Sequence, residues 1–239
     1  MTAAWKIGAE ADLIHRTTPA VLTTGMLEAI ATTGRARPPS KATFQRWRRD
    51  LVASNKLREV TKGVYLNRMG HHDISPAAAA CWIRARAWVS LTWVLEQAGV
   101  TNNISDTITC VIPIDAGLPN PQISSRHTAA GTFRFFALPA RLVELPGALE
   151  DFRDMRFDYP RATPEKALLD MIHLGASPRS RMTHPPLDIA YEQLDRAKVR
   201  RLARRMEMQS LLEAWLAQRD VYLAHPDVRD NTASLLTPG

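Results

Sequence analysis

The sequence predicts a helix-rich α+β protein in two parts. A small N-terminal module of helices ends in a β-hairpin, and a larger mixed α/β domain combines a small sheet with a helical C-terminal part. Three observations predict this. Apolar residues recur at helical spacing through most of residues 4–53 and again beyond residue 163, whereas period-two runs rich in β-branched and aromatic residues occupy 57–66, 107–113 and 132–139. The net charge of +7 over 239 residues is also unevenly placed: residues 1–70 hold twelve basic and five acidic side chains, and residues 71–239 hold nineteen of each. A positive surface confined to one module points to a polyanionic partner for that module alone.

Composition sets further bounds. With 45% apolar and 23% charged residues the chain has enough material for a folded core. Cys81 and Cys110 are the only cysteines and form no CxxC. That argues against a disulfide scaffold or a structural zinc site and favours a reducing cytoplasm. Residues 1–15 contain Lys6, Glu10 and Asp12 and no apolar run, so they do not read as a secretory signal. The most apolar stretch, 77–100, is interrupted by Arg84, Arg86, Glu96 and Gln97. It reads as one long buried helix opened by Ser75-Pro76 and stopped by Gly99, not as a membrane span.

In the N-terminal module a first helix runs to about His15 and is ended by Pro19. Val21-Leu22 makes a short apolar step. Thr23 or Thr24 then caps a helix over 25–32, whose inward residues are Met26, Leu27 and Ile30. Gly34 stops it, and Arg37-Pro38-Pro39 must be extended. Ser40 stands where an N-cap belongs, ahead of a helix with Phe44, Trp47, Leu51 and Asn55 on one side, Val52 at its edge, and Ala42, Arg46, Arg49 and Ala53 opposite. Lys41, Thr43 and Gln45 occupy its first turn. Small residues between arginines suit a helix lying in a DNA groove, where first-turn Thr, Gln and Arg reach base edges. Leu57 to Val60, the turn Thr61-Lys62-Gly63 and Val64-Tyr65-Leu66 read as a hairpin. Three helices followed by a basic hairpin make a winged helix-turn-helix over residues 1–70. Its DNA-contacting candidates are Ser40, Lys41, Thr43, Gln45, Arg46, Arg48, Arg49, Arg58 and the wing-tip Lys62. The spacing of Phe44 and Trp47 with Leu51 assigns the two aromatics to the core.

Residues 68–76 read as a linker; His71-His72-Asp73 has no second ligand pair at metal-binding spacing. The second domain is expected over 76–225. It has strands at 107–113 and 132–139, a Pro- and Gly-rich loop between them with a short strand over 122–125, and a last strand over 155–158. Thr163-Pro164-Glu165-Lys166-Ala167-Leu168-Leu169-Asp170 then starts a helix. Thr163 caps it, Pro164 fits the first helical position, Glu165 suits the positive helix end, and Lys166 and Asp170 are spaced to pair. Farther on, Leu187, Tyr191 and Leu194 share a helical face. So do Val199, Leu202, Ala203, Met206, Leu211, Leu212, Trp215 and Leu216, given a bend near Glu207. Arg200, Arg201, Arg204 and Arg205 lie on the outer side. Residues 226–239 are expected to be a loose tail.

Val21-Leu22-Thr23-Thr24, the Ser40-initiated basic helix, Gly63-Val64-Tyr65, the Ser90-containing long helix and the Thr163–Asp170 block occur in that order in a family this sequence resembles, the AbiEi antitoxins. The resemblance covers roughly residues 15–215, and the block around Pro164 to Asp170 is its most telling part. It implies a winged helix that binds inverted repeats in the promoter of its own operon, with dimerisation on DNA one way to occupy both repeats. It also implies a C-terminal domain that neutralises a cognate nucleotidyltransferase toxin, with no cofactor and no membrane partner. Thr163, Pro164, Glu165, Lys166 and Asp170 fall in the antitoxin domain, as contact residues or as organisers of the fold. Direct binding, indirect antagonism and chemical modification of the toxin are all compatible with the family. The residues leave two alternatives open: a kinase-like antitoxin that modifies its toxin, and a winged-helix regulator that senses a ligand. The absence of a P-loop, a Gly-rich kinase loop, HExxH or a nucleophile elbow favours a non-enzyme.

Overall fold

A computed structural model of the chain describes residues 4–102, 105–115, 123–149, 159–178 and 180–225. The architecture is α+β with small sheets and a helical C-terminal part. It divides into two compact units. The first contains the described residues up to Ala87 together with Ser125–Phe133, and the second contains most of the remainder from Trp88 onward.

In the first unit the elements run α1 (Ala4–Ile14), β1 (Val21–Thr23), α2 (Thr24–Thr32), α3 (Lys41–Ala53), β2 (Leu57–Thr61) and β3 (Val64–Asn67). The strands form an antiparallel sheet of order β1-β3-β2, with Leu22 opposite Tyr65 and Glu59 opposite Tyr65 on the other side. This is the topology of a winged helix. β1, legible in the sequence only as an apolar step, is the third strand that anchors the hairpin to the helices. Thr23 caps α2, its Oγ1 accepting from the Met26 amide at 3.2 Å. Leu27 and Ala31 are the fully buried residues of α2, while Met26 and Ile30 pack at the edge of the core. The core itself joins Leu13 and Leu22 to Phe44, Trp47, Leu51 and Tyr65. A 3-10 turn at Pro76–Ala79 packs on β3, its alanines buried, which carries this unit past residue 76.

The single long helix expected from residue 76 to 98 does not form. The chain instead makes the 3-10 turn, α4 (Ala80–Ile83), β4 (Trp88–Val89) and α5 (Thr92–Gln97). Arg86 and Leu91 adopt φ of 61° and 63°, which ends one element and redirects the next. Trp88 and Val89 pair with Val111 and Cys110, and the Val89 carbonyl accepts from the Ala162 amide at 2.8 Å. Sheet pairing here overrides a stretch with helical spacing.

β4 belongs to a sheet of order β4-β5-β7-β6, with β5 at Thr107–Ile114, β6 at Ser125–Thr128 and β7 at Gly131–Pro139. β5 and β7 match the expected runs, whereas the short strand expected at 122–125 begins only at Ser125. The strand expected at 155–158 and the tail at 226–239 lie outside the described residues. α6 (Ala140–Val143) packs on β5, and α7 (Pro164–Ala176) packs against α5, α8 (Arg196–Arg205) and α9 (Gln209–Ala224). Residues 187–194 are not one helical face. After Pro185-Pro186 they turn into a 3-10 segment, Tyr191–Gln193, that sets Tyr191 edge-on to Trp215 at 6.0 Å. The bend between α8 and α9 falls at Glu207, φ 57°. Val199, Leu202, Ala203, Met206, Leu212 and Trp215 line the buried side, as the spacing predicts, whereas Leu211 and Leu216 are only half-buried. Among the described residues no helix is long and apolar enough to cross a membrane.

Candidate nucleic-acid interface

α3 begins where the sequence places it. The Ser40 hydroxyl accepts from the Thr43 amide at 3.3 Å and lies 2.9 Å from the Thr43 hydroxyl. One face of α3 is spent on the core: Phe44, Trp47 and Leu51 are buried, and Trp5 meets Trp47 edge-on at 5.4 Å. The Trp47 indole donates to Glu10 Oε1 at 3.3 Å, so both α3 aromatics are packing anchors. On the opposite side Lys41, Thr43, Arg46 and Arg49 are exposed, and Gln45 is half-buried beside them.

The ten cations of residues 35–68 separate into two groups of five. Arg35 pairs with Asp12, and Lys56 pairs with Glu10 at 2.6 Å. Arg68 donates to Asn55 Oδ1 at 2.8 Å, and Arg58 donates to the Ala129 carbonyl at 3.0 Å. Arg48 reaches Thr24 Oγ1 at 3.4 Å with its guanidinium 5.8 Å from the Tyr65 ring centre. These five hold the unit together. Arg37, Lys41, Arg46, Arg49 and Lys62 have no acidic partner among the described residues, and all five are exposed. Of the nine candidates, then, Lys41, Arg46, Arg49 and Lys62 present uncompensated charge, Ser40 caps, Thr43 and Gln45 sit between the cations, and Arg48 and Arg58 have internal partners. No sequence signal could have found the Arg58 contact, which spans 71 positions.

The acid that holds Lys56 is tuned for the task. Burial pushes the Glu10 carboxyl upward, but the Lys56 ammonium and the Trp47 indole outweigh it and leave Glu10 below the ordinary glutamate value. The wing is also fixed. Lys62-Gly63 is a two-residue turn with Gly63 at φ 83°, and the Gly63 carbonyl accepts from the Thr24 amide at 2.9 Å. The hairpin tip is thereby tied to the start of α2. In the linker, the His71 ring hydrogen-bonds the Thr18 carbonyl at 2.9 Å.

The Thr163–Asp170 block forms the start of α7 with the expected cap: Thr163 Oγ1 accepts from the Lys166 amide at 3.4 Å, with Pro164 in the first turn. Lys166 and Asp170 pair as their spacing predicts, but they do so inside the second unit, with Lys166 1% and Asp170 0% exposed. The other Asp170 oxygen accepts from the Ser90 hydroxyl at 2.7 Å. Glu165 holds Lys198 at 2.9 Å and accepts from the Asp195 amide at 3.4 Å. Burial raises its carboxyl pKa, yet Lys198, the backbone and Thr163 bring it below the ordinary value. Burial likewise drives the neighbouring His173 pKa downward, against the pull of Asp170. These residues stitch α7 to the β4–α5 junction and to α8. Ser90, which lies between β4 and α5 and not within one long helix, completes the network.

No protein-family model matches the chain, and no curated protein matches it. A solved structure, that of the RV2827C protein from Mycobacterium tuberculosis, is similar over 94% of this chain and 82% of that chain. The TM-score is 0.50 at 16% sequence identity, a likeness of fold.

Proposed function

We propose that the chain is an AbiEi-like antitoxin whose winged helix binds duplex DNA in its own promoter and whose second unit neutralises a cognate nucleotidyltransferase toxin. The observation that carries the DNA reading is the sorting of charge. Half the cations of the basic segment are held by internal partners, and of the other five Lys41, Arg46 and Arg49 lie on the outward side of a capped helix, Lys62 at the tip of a tethered hairpin and Arg37 in the loop before that helix. A recognition helix and wing need that arrangement, with apolar anchors inward and Arg, Lys, Thr and Gln outward. The antitoxin reading rests on the ordered resemblance and on the Thr163–Asp170 block. Sealing of Lys166 and Asp170 from solvent favours a fold-organising role for that block over a toxin-modifying one.

Binding of the purified chain to its upstream region, followed by fluorescence anisotropy against salt, tests the DNA reading. Five neutralised phosphates give a log–log slope near −4.5. Arg46→Ala with Arg49→Ala weakens binding by about 1–3 kcal/mol for each that reads a base. Unchanged binding in the double variant refutes the placement of α3. For the antitoxin half, co-expression with the neighbouring open reading frame restores growth, and restoration survives the α3 variants because neutralisation resides in the other unit.

A further inference from the structure

Residues 71–239 carry no net charge as a sequence, yet one helix of the second unit presents a positive face. α8 reads RAKVRRLARR, with no acidic residue in its ten positions. Three of its cations have internal work. Lys198 pairs with Glu165 at 2.9 Å, Arg205 donates to the Pro146 carbonyl at 3.0 Å, and the Arg196 guanidinium lies 5.7 Å from the Tyr191 ring centre. Arg200, Arg201 and Arg204 are exposed and have no acidic partner among the described residues.

Position on the helix explains only one of the three. A favourable interaction with the helix C-terminus accounts for Arg204 and Arg205 in the last turn, and not for Arg200 or Arg201. Arg196 and Arg200, Arg200 and Arg204, and Arg201 and Arg205 are each four apart, a spacing at which like charges repel. Arg200 and Arg204 also border a groove of about 210 Å³ between α8 and α9, floored by Ala203 and Leu212, with Gln209 and Glu213 at its edge. One carboxylate at that edge leaves the face strongly positive.

We propose that this face of α8 is a second, sequence-independent contact for the phosphate backbone of duplex DNA. The guanidinium is the group best matched to phosphate, offering paired donors and a charge that no pH within reach removes. A protein partner fits less well. Protein interfaces are anchored by apolar or aromatic side chains at their centre, and none of the exposed large apolar residues described in this chain lies on α8. A purely cationic helix face without an apolar anchor matches backbone binding, which is carried by charge and counterion release. The inference takes duplex DNA as the polyanion from the proposed function, but it does not depend on where α3 sits.

The test uses the full chain in three forms: unaltered, with Arg200→Ala, Arg201→Ala and Arg204→Ala, and with Arg46→Ala and Arg49→Ala. Each is titrated with the promoter duplex and with a random duplex of equal length over a salt series. Removing the three α8 arginines reduces the steepness of the log–log salt dependence on both duplexes by up to about 2.7, the value for three phosphates. The preference for promoter over random duplex is unchanged. The α3 variant shows the converse, losing preference while keeping the α8 contribution on random DNA. An unaltered slope in the α8 variant overturns the inference and leaves the winged-helix reading intact. Full promoter preference in the α3 variant, with the slope still falling in the α8 variant, overturns the α3 placement and leaves this inference intact. Competition by a polyglutamate peptide of equal charge, as effective as random duplex and abolished by the α8 substitutions, assigns the face to an acidic protein and overturns it.

Discussion

Asp170→Ala is the most exacting perturbation of the second unit. The substitution removes the carboxylate that compensates the Lys166 ammonium and accepts from Ser90, both inside the core. Breaking a buried ion pair by deleting one partner costs about 3–5 kcal/mol, because the surviving charge stays desolvated. The stranded Ser90 hydroxyl adds about 1 kcal/mol. For a chain of this size each kcal/mol lowers Tm by roughly 2–4 °C, so thermal unfolding followed by circular dichroism falls by roughly 8–24 °C. Lys166→Met combined with Asp170→Leu removes both charges together and gives a protein within about 1–2 kcal/mol of the parent, since apolar replacement of a buried pair is often neutral or better. The comparison separates two accounts of the Thr163–Asp170 block. If the residues organise the fold, the double variant regains stability and still neutralises the toxin. A loss below about 1 kcal/mol for Asp170→Ala, or a double variant as unstable as the single, refutes the buried-pair reasoning.

Two further outcomes are expected. Glu10 and Glu165 both have folded-state pKa values below the ordinary 4.5, so each contributes stability that is complete above that value and is lost as pH falls through the depressed one. Stability measured by urea unfolding therefore declines as pH drops below about 4.5, and Glu10→Gln and Glu165→Gln each flatten the decline; an unchanged profile in both removes these carboxylates from the account. Ser40→Ala deletes the α3 cap and destabilises the first unit by about 1 kcal/mol, read as a lower midpoint in the Trp47 fluorescence transition. The same variant weakens promoter binding only to the extent that the first turn frays, so a binding loss far beyond the stability loss assigns Ser40 a direct contact.

The parts that could be read from sequence are those whose signals are local. Ser40 and Thr163 announce helix starts, Lys62-Gly63 announces a turn, and Phe44, Trp47 and Leu51 report one buried face. What could not be read depends on partners distant in the chain. β1 has three residues, too few for a period-two pattern, and becomes a strand only because β3 lies beside it. The stretch from 76 to 98 has helical spacing and bulky tryptophans, yet Arg86 and Leu91 take left-handed backbone without any Gly or Asn to signal it. The burial of Lys166 and Asp170 was within reach. α7 is apolar around most of its circumference, a helix of that kind is enclosed, and charges on an enclosed helix must find partners within the fold.

Net charge locates an excess, but an interface is made by the cations that the fold does not use. Arg35 and Lys56 contribute as much to the +7 as Arg46, Arg49 and Lys62, and of these five only the latter three are exposed without a carboxylate partner. The stretch 71–239, with its balance of nineteen against nineteen, conceals the opposite case. Its acids and bases cancel in number, while Lys166 and Lys198 are neutralised internally and the three middle arginines of α8 are not. A neutral domain can therefore carry a positive face, and salt dependence measured separately for the α3 and α8 variants is the quantity that distinguishes charge spent on folding from charge held for a partner.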